Sequence, residues 1–181
     1  MAFDVETTGL SPGNGHRVIE VGAIIMEGGK SVDEFSSLIK TPRNIPTIAS
    51  QIHGITDEML VGQPPPELVF PELKSFIGNR TLVAHNAPFD LSFLRYEFGR
   101  LGMSLPNPHL CTLEISRAHF PGLKNHKLET VYRHLMGLSR TYSGSPKGSE
   151  RVPGTNRKQT HRALDDARMV AAIWLDMGNR R

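Results

Sequence analysis

Apolar positions recur along this chain in two rhythms. Between Val18 and Met26 nearly every position is apolar, interrupted by Glu20 and Gly22. A run so short and so β-branched predicts a strand buried on both faces rather than a core helix. Phe3-Asp4-Val5 predicts an earlier strand, ended by the turn-forming stretch Thr8–Gly13. Gly28-Gly29 predicts a tight turn, and weak alternation over Ser31–Lys40 predicts the second arm of a hairpin. From Pro42 to Gly62 proline and glycine break the pattern, leaving short helices at Ile45–Gln51 and Asp57–Leu60. Pro66 opens a helix to Ile77 that gathers Val69, Leu73, Phe76 and Ile77 on one face. Thr81–His85 predicts a short apolar strand. Asn86-Ala87-Pro88 then marks a helix start, with Asn86 as the cap and Pro88 in the first turn. That helix runs to Arg100 and stops at Gly102. Leu110-Cys111-Thr112 predicts another strand, and Thr112–His119, Lys127–Met136 and Arg162–Met177 predict further helices. Strands first, then strands alternating with helices, give an α/β class with a mixed sheet.

Composition narrows this further. The chain has 181 residues, one domain at roughly 100–200 residues per domain. Hydrophobic residues make up 38% and charged residues 22%, an ordinary soluble balance. The single cysteine, Cys111, excludes an internal disulfide and fits a reducing compartment. No apolar run approaches the ~18–20 residues of a membrane span, and no signal peptide is visible. A cytoplasmic protein without membrane association is expected. The net charge of +3 is uneven. Arg140, Lys147, Arg151, Arg157 and Lys158 stand against Glu150 alone in 139–160, so this stretch is strongly basic and the remainder slightly acidic. Whole-chain charge is therefore weak evidence for a nucleic-acid partner. Rich in Gly, Ser and Pro, 139–160 is expected to be a flexible insertion loop within a single domain, 1–181.

The carboxylates carry candidate chemistry. Asp4 and Glu6 are two apart on a strand, so both project from one face. That pattern fits a solvated strand end or a divalent-cation site of hard oxygen ligands. Asp90 lies in the first turn of a helix, where an acid also meets the helix dipole. At ~100° per residue, Ala163, Ala167, Val170, Ala171 and Trp174 form one stripe of the last helix. Asp166 falls beside that stripe and should look toward the sheet, whereas Asp165 falls on the opposite face. His161, five residues before Asp166, has the residue type of a general base near neutral pH.

Four segments in order carry a resemblance. Asp4-Val5-Glu6-Thr7-Thr8-Gly9-Leu10, Ile52-His53-Gly54-Ile55-Thr56, His85-Asn86-Ala87-Pro88-Phe89-Asp90 and His161-Arg162-Ala163-Leu164-Asp165-Asp166-Ala167 resemble the DEDDh branch of the DnaQ-like 3′→5′ exonucleases. That family includes the proofreading epsilon subunit and exonuclease domains of bacterial DNA polymerase III. The resemblance spans essentially the whole chain. It implies a ribonuclease H-like fold, a five-stranded mixed sheet flanked by helices, with the second strand antiparallel. It implies that Asp4, Glu6, Asp90 and Asp166 bind two divalent cations, Mg²⁺ or Mn²⁺, and that His161 is the general base. Two such ions suit phosphodiester hydrolysis.

The resemblance also implies substrate contacts. Thr7, Thr8 and Gly9 would hold the terminal nucleotide, and Ile52 and His53 would pack on its sugar and base. Phe89 would stack on the next base or serve the core. Asn86 would cap its helix first and touch substrate second. His85 would have a supporting role or none, and Glu20 would be a satisfied core acid or face the site. The implied activity is hydrolysis at the 3′ end of single-stranded or frayed DNA, releasing nucleoside 5′-monophosphates, as in proofreading. The alternative is an RNA exonuclease of the oligoribonuclease or ribonuclease T type, and a third reading is a non-catalytic nucleic-acid-binding module. A DNA 3′ end is the expected partner, with a DNA polymerase subunit as a candidate protein partner. Three departures stand out: a first strand expected to be short at its N-terminal end, a Leu138–Thr160 loop longer than the family's, and, with the chain ending at Arg181, an expected absence of the epsilon subunit's polymerase-binding tail.

Overall fold

The computed structural model describes residues 1–137 and 162–178. The basic stretch 139–160 and His161 lie outside the described residues. Among the described residues, five strands form one sheet: β1 (Ala2–Thr7), β2 (Val18–Glu27), β3 (Lys30–Leu38), β4 (Leu82–Ala84) and β5 (His109–Cys111). Their order is β3-β2-β1-β4-β5. β2 runs antiparallel to β1 and β3, whereas β4 is parallel to β1 and β5. This is the expected mixed sheet with an antiparallel second strand. β2 is buried from Val18 to Ile25, as its nearly continuous apolar run requires.

The helices are α1 (Thr47–His53), α2 (Asp57–Leu60), α3 (Pro66–Ile77), α4 (Ala87–Arg100), α5 (Thr112–His119), α6 (Leu128–Leu135) and α7 (Ala163–Gly178). They cover both faces of the sheet. Phe3, Val5 and Val21 pack with Val69, Phe70 and Leu73 of α3 and with Leu91, Leu94 and Phe98 of α4. On the opposite face Ala2, Ile24 and Val83 meet Ala167, Val170 and Ala171 of α7. Alternation along β1 therefore sends Phe3 and Val5 to one layer and Ala2, Asp4 and Glu6 to the other. The first strand is six residues long and already pairs at Ala2, opposite Val83.

Gly22 sets the spacing between sheet and α7. It faces Asp4 across the β1–β2 pair. A Cβ built there would lie 2.3 Å from the backbone nitrogen of Leu164 and 2.4 Å from the carbonyl carbon of Ala163. The start of α7 thus rests directly on the strand, an approach open to glycine alone.

Candidate active site

Asp4 and Glu6 leave β1 toward α7, and Asp166 comes down from the first turn of that helix. One carboxylate oxygen from each lies within 4.8 Å of the other two. The helix-face reasoning is borne out: Asp166 is buried, whereas Asp165 is exposed and paired with Arg168 at 2.9 Å. Asp90 arrives from α4 and accepts the Val5 N–H at 3.3 Å. These four acids line one cleft of about 210 Å³ together with Val5, Ile52, His85 and Phe89. A larger cleft of about 400 Å³ is lined by Met1, Met26 and Trp174. Its charged residues, Arg80 and Glu27, already pair with each other at 3.6 Å, and it holds no cluster of acids.

The cleft is electrostatically costly. Burial holds the Asp4 carboxyl well above the usual carboxylate range, and Asp90, Glu6, Asp166 and Glu20 push it the same way. Burial also pushes Asp90 up to about 8, against its hydrogen bonds from its own backbone and from Val5, with Asp166 adding to the rise. A cluster of hard oxygen donors with no soft ligand suits Mg²⁺ or Mn²⁺. The residues present therefore fit the divalent cations that the resemblance implies.

The turn after β1 is a built structure. The β1–β2 register shifts between Glu6 and Thr7, a bulge of the kind that re-aims side chains next to sites. The Thr7 hydroxyl donates to the Gly9 carbonyl at 2.7 Å. The Thr8 hydroxyl accepts the Arg17 N–H at 3.0 Å and meets His16 Nδ1 at 3.2 Å, so that side chain is spent internally. The His16 ring lies against Gly9, where a Cβ would come within 2.4 Å of it. Arg17 is tied in turn to Glu97 of α4 by a two-pronged ion pair, 2.6 and 2.7 Å.

Other sequence-derived candidates divide. Ile52 and Phe89 reach the cleft wall. Phe89 is half-buried and also packs on Phe93, ring centroids 5.2 Å apart, so packing and cleft-lining coexist. His53 is buried, with Nδ1 accepting the Ile55 N–H at 3.0 Å. It closes α1 next to Ile52 and does not line the cleft. Asn86 occupies the cap position, but at φ 71° in the left-handed region it makes no side-chain capping bond. The expectation that it caps α4 is corrected: the tight exit from β4 selects an Asn for its tolerance of positive φ.

His85 lines the cleft although the motif alone left its role open. Its Nε2–H donates to the His126 carbonyl at 2.7 Å, and Nδ1 meets the Thr112 hydroxyl at 2.9 Å. Burial lowers its pKa. A neutral ring with both nitrogens engaged is a strut, not a proton acceptor. Glu20 is a satisfied core acid, as the plainer reading had it, bound to Arg162 and to the Ala163 N–H. Arg17, Glu97 and Arg162 were missed, because nothing near them in the chain announces their partners.

A family model for exonucleases, RNase_T, matches residues 1–174. The DNA polymerase III PolC-type of Clostridium perfringens is 36% identical over 173 residues, which make up 96% of this chain and 11% of that protein. The DNA polymerase III subunit epsilon of Aquifex aeolicus is 33% identical over 176 residues, covering 97% of this chain and 78% of that one. Among solved structures, exonuclease X in complex with 5′ overhanging duplex DNA superimposes with a TM-score of 0.70 at 28% identity, covering 98% of this chain and 90% of that one. The chain thus corresponds to a small part of the PolC-type relative and to most of the epsilon relative. The ribonuclease H-like expectation for the fold holds.

Proposed function

The chain belongs to the RNase_T exonuclease family, and from that premise we propose that it hydrolyses DNA from the 3′ end, releasing nucleoside 5′-monophosphates. The observation that carries this reading is the convergence of Asp4, Glu6 and Asp166 within 4.8 Å, with Asp90 in the same cleft. These four acids would hold two divalent cations, Mg²⁺ or Mn²⁺, whose chemistry when bound is to neutralise the phosphoryl charge and favour both nucleophile and leaving oxygen. Asp4 and Glu6 contribute from the rigid centre of the sheet, Asp90 and Asp166 from helices on its two faces.

His161 takes the proton of the attacking water as general base. Water adds to the terminal phosphorus, the P–O3′ bond breaks, and the shortened strand keeps a 3′-hydroxyl. Ile52 and Phe89 give the terminal nucleotide an apolar wall. The loop Thr7–Gly9, fixed through Arg17, offers backbone groups to its 3′ end. His53 steadies the end of the helix that carries Ile52 through its bond from the Ile55 N–H, and Asn86 stands exposed at the head of α4. A DNA polymerase subunit is the protein partner this reading favours, since relatives carry polymerase III names.

The test uses 5′-labelled single-stranded DNA and RNA oligonucleotides of one sequence, with Mg²⁺ or Mn²⁺. A ladder shortening from the 3′ end on DNA is expected. Preferential shortening of RNA would move the assignment to an RNA exonuclease, and binding without cleavage would leave a nucleic-acid-binding module. His161→Ala should lower turnover about 10²–10⁴-fold and remove the acidic limb of the pH–rate profile.

A further inference from the structure

Glu20 and Arg162 take no part in the chemistry above, on which this inference rests, yet they join the strand beside Asp4 to the helix that carries Asp166. Glu20 lies on β2 opposite Glu6 and is 2% exposed. It does not line the cleft. Its carboxylate accepts Arg162 Nε at 3.0 Å and Nη2 at 2.5 Å, and the Ala163 N–H at 3.0 Å. Ala163 is the first residue of α7, so its N–H is one of the donors that a helix leaves without an internal partner. Glu20 therefore caps α7 from a different element, 143 residues away. Arg162 reaches Asp166 as well: its carbonyl accepts the Asp166 N–H at 3.0 Å, the opening bond of the helix. Gly22, two residues further along β2, lets the same turn rest on the strand.

We propose that Glu20 and Arg162 are positioning residues, whose ion pair and cap latch the first turn of α7 to β2 and so set Asp166 in the cation-binding cluster. The latch fixes both coordinates of that carboxylate. The cap sets how far α7 advances along its axis, and the two-pronged pair sets its rotation. Asp166 rather than Asp165 then faces Asp4.

Charge and position make opposite forecasts here. The Arg162 guanidinium is close enough to Glu6 for the two charges to interact. Removing that cation would leave the cluster more negative and tighten cation binding if charge alone mattered. Losing the latch would loosen it. Mn²⁺ titrated calorimetrically into the wild-type chain and into Arg162→Ala separates the two, with melting curves in chelator defining a temperature at which both are folded. The expected result is Mn²⁺ affinity lowered about 10–100-fold, the usual cost of losing an outer partner of a metal site. Should Arg162→Ala fail to fold, Arg162→Lys serves: it keeps the charge but cannot span both oxygens. Weaker binding is again expected, where charge alone predicts no change. A merely structural latch would lower the melting temperature and leave the affinity of the folded variant untouched, which would overturn the proposal. Equal or tighter Mn²⁺ binding by the variants overturns it too. A wild-type chain that binds no Mn²⁺ overturns the hydrolytic reading itself, and this inference with it.

Discussion

Gly22→Ala adds one methyl group at the point where α7 rests on the sheet. The new Cβ would lie 2.3 Å from the Leu164 nitrogen and 2.4 Å from the Ala163 carbonyl carbon and the Leu164 Cα, where ordinary contact begins at 3.4 Å. All three neighbours are backbone, so no rotamer change relieves the overlap, and the helix must retreat by about 1 Å. Overpacking of this kind costs about 1–3 kcal/mol, and the backbone partners place it in the upper part of that range. For a chain of this size each kcal/mol lowers the melting temperature by about 2–4 °C, so a drop of about 4–12 °C is expected in chelator. The same retreat withdraws Asp166 from Asp4 and Glu6, and a 1 Å misplacement costs about 10²-fold in rate. Thermal melting and 3′-end shortening of a labelled oligonucleotide measure the two effects. Gly99→Ala is the control: inside α4, with nothing within 4 Å of the added methyl, it should stabilise by about 0.5–1 kcal/mol. A Gly22→Ala protein that melts with the wild type and turns over normally would refute the argument that contact with β2 places Asp166.

Three further outcomes follow from the geometry. Asp166→Ala should abolish cleavage, whereas Asp165→Ala should leave it intact and cost at most about 1 kcal/mol, since that exposed carboxylate makes a surface ion pair with Arg168; the reverse pattern would overturn the helix-face assignment. Asp90 keeps its proton up to about 8 when folded against an ordinary value of 3.8, so between those values the unfolded chain holds fewer protons and stability falls as pH rises; in chelator the melting temperature should decline from pH 5 to pH 8, and Asp90→Asn should flatten that decline. Glu97→Ala strands Arg17 in a buried setting, which should cost about 3–5 kcal/mol and raise KM through the Thr8–Gly9 turn, as denaturant melts and steady-state kinetics would record.

The elements were legible wherever burial imposes a rhythm. The nearly continuous apolar run of β2 predicts a strand covered on both faces, and Pro66 and Pro88 mark two helix starts. The acids were legible because their spacing fixes their direction: alternation for Asp4 and Glu6, helical phase for Asp166. What could not be read depends on contacts between distant segments. Glu20 and Arg162 are 142 residues apart, and Arg17 and Glu97 are 80 apart. Each shows in the sequence as an ordinary charge. Asn86 shows the limit of a local motif, since one residue type serves both a capping bond and a left-handed turn. The hydrogen bonds that commit His85 come from Thr112 and His126, on segments that its own motif does not mention.

The latch and the Val5–Asp90 bond answer one physical problem. Two ionised carboxylates separated by 4.8 Å repel by about 3–4 kcal/mol at an effective dielectric near 20. Three such pairs would match the whole stability of a typical domain, about 5–15 kcal/mol. The cluster cannot stay fully charged without cations and remain where it is. Protons take the load first: burial above all, with repulsion from neighbouring acids added to it, holds Asp4 and Asp90 above the ordinary carboxylate range. Each acid is also fastened independently: Asp4 and Glu6 by a central strand, Asp90 by the Val5 N–H, Asp166 by Glu20 and Arg162. Repulsion therefore cannot be relieved by moving one element away. It can be relieved only by a proton or by a cation, and the two compete for the same oxygens. Divalent-cation affinity should accordingly rise with pH across the window in which these carboxyls lose their protons.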